Sequence, residues 1–157
     1  MEAAQKDAVM KRIKGTIDLA EGKDADLVVE AVIENMELKK KVFSELDELC
    51  QENTIFASNT SALSISEIAA STKRPQQVIG MHFFNPVPVM QLVEITKGEA
   101  TSEEIYERIF KFAEELGKQP VSVNEAPGFI VNRMLVPMIN EAVYTLMEGV
   151  ATKEDID

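Results

Sequence analysis

Short apolar runs alternate with amphipathic helical stretches along most of this 157-residue sequence, and that alternation limits the fold more than any other feature. Asp26-Leu27-Val28-Val29-Glu30-Ala31-Val32 is rich in β-branched residues and of strand length, the kind of run a parallel sheet buries on both faces. Leu38, Val42, Leu46 and Leu49 then recur at helical spacing. Lys39, Lys40 and Lys41 fall mostly off that stripe, and Asn35 stands where a cap belongs. Residues 54–58 read as the next strand, and Ser64 with Glu67 makes a capping box for a short helix through Ala70. Residues 78–83 and 92–96 are two further strands. Thr101 with Glu104 makes a second capping box. The helix behind it places Ile105, Ile109, Phe112, Ala113 and Leu116 on one face and ends at Gly117. Residues 121–123 are a last strand. Pro127 suits the first turn of a long helix, which Pro137 should kink. At the start, residues 1–12 read as helix, 14–19 as a short strand and 22–25 as a turn; at the end, Thr152 with Asp155 opens another helix. Strands alternating with helices predict an α/β fold with a parallel sheet.

The length allows one domain, or one and a small part, with enough chain for a real core. A formal net charge of -11 argues against nucleic acid and against anionic membranes as partners. Any polyanionic ligand must therefore meet local cations or backbone donors. Cys50 is the only cysteine, so no intramolecular disulfide framework is expected, as suits a reducing, cytoplasmic setting. One cysteine and one histidine make no typical metal site, so no metal is expected. The N-terminus is charged and lacks the apolar core of a signal peptide. The apolar segment 129–150 is broken by Asn132, Arg133, Pro137, Asn140 and Glu141, and reads as a buried helix, not a membrane span. The sequence shows no internal repeat, low-complexity tract or flexible linker.

The chemistry concentrates in residues 80–94. Val78, Ile79 and Met81 lead into His82, the only histidine, and Asn85-Pro86-Val87-Pro88 ends the run because each proline lacks a donor and fixes its own φ. Glu94 follows inside or at the edge of the next strand. A short loop can bring the two side chains together. A carboxylate beside an imidazole fixes which nitrogen carries the proton and strengthens the other as a base. Taken by position alone, a lone histidine near a strand end is more often structural. A Glu between Val and Ile is likewise more often a solvent-facing strand residue.

The string H-F-F-N-P-V-P-V-M-x-L-V-E, His82 to Glu94, resembles the signature of the L-3-hydroxyacyl-CoA dehydrogenases, including the bacterial 3-hydroxybutyryl-CoA dehydrogenases. Ser58-Asn59-Thr60-Ser61 upstream and Ala126-Pro127-Gly128-Phe129-Ile130-Val131-Asn132-Arg133 downstream extend the resemblance in order and spacing. It runs from about Ala25 to the C-terminus. The resemblance implies an α/β, incomplete Rossmann-type dinucleotide-binding domain over 1–125, followed by the first helices of an α-helical dimerisation domain over 126–157. It implies NAD as cofactor, an acyl-CoA substrate, and hydride transfer at C3 of a 3-hydroxyacyl-CoA. His82 corresponds to the catalytic base and Glu94 to its acidic partner. Ser61 corresponds to a serine facing substrate and nicotinamide, and Asn132 to an asparagine that approaches the histidine. Glu34, Lys39 and Asn85 correspond to cofactor contacts. Each has a plainer reading too. Ser61 and Asn85 are turn formers, and Asn132 is an ordinary polar helix residue. Glu34 favours a helix dipole, and Lys39 is one of three solvated lysines. The eight methionines read as core and interface filler.

A dinucleotide domain usually opens with a strand and a G-x-G-x-x-G turn at which the pyrophosphate sits. No two of the seven glycines have G-x-G spacing, so at least one βαβ unit, roughly 30 residues, is expected to be absent. The sequence thus reads as a fragment or truncated relative, with a strand at 26–32 that lacks its central neighbour. Such an edge needs a cover, and a homodimer, reciprocal or domain-swapped, is the expectation. Three other readings stand: a related dehydrogenase of a sugar acid such as gulonate, a non-catalytic structural or dimerising relative, and a piece of a larger multifunctional protein.

Overall fold

Five strands in the order β1-β2-β3-β4-β5 form one sheet in the computed structural model, which describes residues 3–157. The strands are β1 (Leu27–Glu30), β2 (Ile55–Ser58), β3 (Val78–Phe83), β4 (Leu92–Lys97) and β5 (Gln119–Asn124). The helices are α1 (Ala3–Met10), α2 (Met36–Leu49), α3 (Ile65–Ala69), α4 (Glu103–Glu115), α5 (Val131–Met147) and α6 (Lys153–Ile156), with short 3₁₀ turns at Leu19–Gly22 and Pro75–Gln77. Residues 1 and 2 of the helix expected over 1–12 lie outside the described residues.

The sheet is mixed, where a parallel sheet was expected. β1, β2 and β3 are parallel, β4 runs antiparallel to β3, and β5 runs parallel to β4. Loop length decides this. Parallel neighbours need a crossover of about a dozen residues or more, usually a helix. Only residues 84–91 separate β3 from β4, so β4 must fold straight back.

Strand side chains alternate between the two faces of the sheet. Ile55, Ala57, Ile79, Met81, Val93 and Ile95 face α4 and pack on its Ile105, Ile109 and Ala113. Phe56 and Val78 face the other layer, against Phe43 and Leu46 of α2 and Ile65 and Ile68 of α3. Gly80 lets α3 come this close: a Cβ there would lie 2.9 Å from Thr96 Cβ and 3.0 Å from Ile65 Cδ1. The burial stripe of α4 is narrower than its sequence pattern. Phe112 and Leu116 are exposed, because a helix lying on a flat sheet buries only the row at i, i+4, i+8.

Capping accounts for several boundaries. Asn35 accepts from Leu38 N, Ser64 from Glu67 N and Thr152 from Asp155 N, as the sequence indicates. At α4 the cap is Ser102, which accepts from Ile105 N, and not Thr101. The Thr101 hydroxyl is already engaged: it donates to Val78 O at 2.6 Å and accepts from Gly98 N at 2.9 Å. Ser102→Ala is therefore expected to cost about 1 kcal/mol of stability. Urea denaturation would measure it, and an unchanged midpoint would return the cap to Thr101.

Three further expectations need correction. Residues 14–18 form no strand; Thr16 and Asp18 turn their side chains onto nearby N–H groups, and Ile17 is fully exposed. The strand expected over 26–32 stops at Glu30, whose own carboxylate takes the Val32 N–H at 2.6 Å. Among the described residues β1 pairs only with β2, so it is an edge, and Val29 is 43% exposed rather than buried on both faces. Finally, α5 has no buried residue, where a buried helix was expected. It projects beyond the sheet, continues through Pro137 and leaves Met134, Val136, Met138 and Ile139 exposed. Among the described residues no helix is long and apolar enough to cross a membrane.

Candidate active site

The carboxyl ends of β1, β2 and β3 carry the polar residues singled out above, the end of a parallel sheet where ligands collect. His82 lies near the end of β3, and Glu94 is its direct cross-strand partner on β4. His82 Nδ1 is 2.8 Å from Glu94 Oε2. Both side chains are almost wholly enclosed, at 7% and 0% exposure. The rings of Phe84 and Phe129 lie 4.5 and 5.9 Å from the imidazole, centroid to centroid, and hold it in place.

Glu94 does more than face the histidine. Its Oε1 accepts from Ile130 N and Val131 N, each at 2.9 Å, at the start of α5. Two backbone donors on Oε1 favour Glu94 as an acceptor-only carboxylate, and the geometry then assigns the proton to His82 Nδ1, which donates to Oε2. Nε2 is then the basic nitrogen, with no hydrogen-bond partner among the described residues. The downstream motif builds this contact. Pro127, expected in the first turn of the helix, lies instead in the turn before it, because α5 begins only at Val131. The delay comes from Gly128 and Phe129, both left-handed at φ 76° and 50°.

The Ser58–Ser61 turn reaches β3 through Asn59, whose Oδ1 accepts from Phe83 N at 2.8 Å. Ser61 is clamped on both sides: its N–H donates to Glu34 Oε1 at 2.9 Å, and its carbonyl accepts from Asn132 Nδ2 at 3.2 Å. Thr60 Oγ1 donates to the same Glu34 oxygen. Burial raises the Glu34 pKa, but the bonds from Thr60 and Ser61 and the Lys39 ammonium together outweigh it and hold the carboxyl below its ordinary value. Lys39 is not a solvated lysine. It is 1% exposed, with Nζ 2.8 Å from Glu30 Oε1, 3.3 Å from Glu34 Oε2 and 3.4 Å from Val32 O. Glu30 Oε2 in turn accepts from Ser58 Oγ at 2.7 Å. Asn85 sits apart in the exposed loop after β3, which contains the cis Asn85–Pro86 bond.

The structure thus joins His82 to Glu94, and Ser61 to Asn132, Glu34 and, through Glu34, Lys39. The sequence reading missed Glu30, Ser58 and the two N–H groups of α5. A signal existed for the first: a carboxylate inside the apolar run 26–32 needs a buried cation. The backbone donors left none, since every residue carries an N–H.

The family model described as "3-hydroxyacyl-CoA dehydrogenase, NAD binding domain" matches residues 1–126. The one described as "3-hydroxyacyl-CoA dehydrogenase, C-terminal domain" matches residues 128–157. A 3-hydroxybutyryl-CoA dehydrogenase of Clostridioides difficile is 54% identical over 154 residues, 98% of this chain and 55% of that protein. The human mitochondrial hydroxyacyl-coenzyme A dehydrogenase is 53% identical over 132 residues, 84% of this chain and 42% of that protein. The crystal structure of (S)-3-hydroxybutyryl-CoA dehydrogenase from Ralstonia eutropha superposes with a TM-score of 0.96 at 47% identity, covering 100% of this chain and 56% of that one. The chain spans about half the length of the curated relatives it matches.

Proposed function

The chain belongs to the 3-hydroxyacyl-CoA dehydrogenase family, and on that premise we propose that it carries the acid–base centre of an NAD-dependent oxidoreductase acting at C3 of a short-chain 3-hydroxyacyl-CoA. The observation that carries this reading is the enclosed His82–Glu94 pair, with Nδ1 bound and Nε2 left over. In the oxidative direction Nε2 takes the proton of the 3-hydroxyl; in reduction it returns it. Glu94 stabilises the imidazolium while the proton is held. Such a base supplies about 10²–10⁴-fold in rate. Ser61 donates to the 3-oxygen as charge develops there, and Asn132 holds the Ser61 backbone in place.

NAD, when bound, supplies the hydride acceptor. The donor set suits part of that cofactor. Glu34 is 42% exposed and keeps its carboxylate ionised at the strand ends, beside Ser61. Asn85 completes the cofactor side in this reading, and Lys39 serves through Glu34, since its own ammonium is enclosed. These 157 residues hold no glycine-rich turn for the pyrophosphate. The reading therefore includes a first βαβ unit lying beyond β1, and a border between dinucleotide and helical domains at Glu125-Ala126. It also includes a cytoplasmic homodimer, reciprocal or swapped, supported by the open edge of β1 and the bare apolar face of α5. Light scattering on the eluted chain is expected to return twice the monomer mass; a monomer at micromolar concentration would remove the dimer from the reading.

The test of function is a chimaera in which these residues replace the matching 154 of the clostridial relative. Acetoacetyl-CoA should drive its oxidation of NADH. A folded chimaera that binds NADH but does not turn over would overturn the proposal.

A further inference from the structure

We infer that the start of α5 is a positioning element for the imidazole: the Ile130 and Val131 N–H groups hold Glu94 so that a single oxygen faces His82 and a single tautomer is fixed. The inference rests on the reading of His82 as the base, but its geometry stands without it.

Glu94 lies in the middle of the fold at 0% exposure, with two oxygens to satisfy. An aspartate or glutamate this enclosed needs every acceptor position used. One oxygen faces Nδ1. The other meets two successive backbone donors from a segment 36 and 37 positions further on. Freed of these donors, the carboxylate could turn about its last torsion, which is broad and roughly two-fold. Nδ1 would then lose its fixed partner, and the proton could sit on either ring nitrogen. The base would be available only part of the time.

The backbone here is built for this contact and not for helix propagation. Phe129 is left-handed, and Ile130 returns to the right-handed region at φ -94° and ψ -57°. That alternation turns successive N–H groups toward one point, the geometry of an anion-binding nest. A non-glycine residue at positive φ is strained and persists only where its surroundings over-determine it. The ring of Phe129 supplies that support, as it is 2% exposed and packs beside His82. Gly128 is needed twice: its φ is 76°, and a Cβ there would lie 3.2 Å from Arg133 N. Gly128, Phe129 and Ile130 thus shape the backbone that places a ring against the imidazole and the Ile130 and Val131 N–H groups against its partner. The proposed helical domain is coupled to the base through this joint, which neither half makes alone.

The chain offers an unusually clean readout, because His82 is its only histidine. The two ring nitrogens of a fixed tautomer give well-separated ¹⁵N signals, and exchange between tautomers draws them together. In the parent chain, at a pH where the ring is neutral, two separated signals are expected. Val131→Pro removes one donor covalently. Proline at 131 also disfavours the right-handed conformation of Ile130, so the second donor is turned away from Glu94 as well. Gly128→Ala is a milder second variant. Gly117→Ala is the control, because that glycine has the same sign of φ, at 74°, and nothing near its missing Cβ. Collapse of the separation in Val131→Pro and Gly128→Ala, with the parent pattern kept in Gly117→Ala, is the expected result. Parent-like ring signals in a folded Val131→Pro chain would overturn the inference. So would an equal collapse in Gly117→Ala, which would mark a general loosening. Neither result depends on turnover, so failure here is distinct from failure of the chimaera assay.

Discussion

His82→Gln in the chimaera is expected to lower turnover by about 10²–10⁴-fold while leaving the fold intact. Glutamine keeps roughly the bulk of the ring and can still donate to Glu94 Oε2, now 2.8 Å from Nδ1. Its amide cannot take a proton near neutral pH. The change therefore removes the base and little else, so the loss should fall on kcat, with KM for acetoacetyl-CoA nearly unchanged. Circular dichroism and the melting transition check the fold; stopped-flow or steady-state NADH absorbance checks the rate. A variant within tenfold of the parent would remove His82 from the mechanism, and Glu94 would then be read as an anchor for α5 alone.

Lys39→Ala is expected to destabilise the chain itself by about 3–5 kcal/mol, because it strands the Glu30 carboxylate. Both side chains of that pair are 1% exposed. Glu30 would keep only Val32 N and Ser58 Oγ. Domains of this kind have a total stability of about 5–15 kcal/mol, so the loss is a large share. Replacing both charges, in Glu30→Gln with Lys39→Met, should recover much of it, since the desolvation of both ions disappears with their attraction. Urea midpoints at constant m-value give the comparison. If Lys39→Ala shifts stability by less than 1 kcal/mol, or if the double variant is as poor as the two singles summed, the enclosed pair is not what fixes this corner of the site.

Much of the fold was legible because its causes are local. The strand at 78–83 and the caps at Asn35, Ser64 and Thr152 follow from nearest-neighbour chemistry, and all stand as read. The failures share another cause. Thr101 is as good a cap as Ser102 until its hydroxyl is drawn to Val78 O, which belongs to another element. The direction of β4 hung on the length of one loop. Residues 14–18 have the pattern of a strand but pair with no strand among the described residues.

For the site, the sequence by itself determined that His82 and Glu94 can meet. His82 and Glu94 become cross-strand partners once their two runs are strands and the loop between them is short. The resemblance to a known signature supplied the chemistry. Only the tertiary structure decided how the pair is held. The donors to Glu94 Oε1 are backbone groups of Ile130 and Val131, identical in kind to every other N–H in the chain and aimed by two left-handed residues. The enclosure of Lys39 was likewise settled by packing: its helix start lies beside Glu30, and a carboxylate buried there turns an apparently solvated lysine inward. Pattern records what a residue is, whereas burial and partner depend on what the rest of the chain brings beside it.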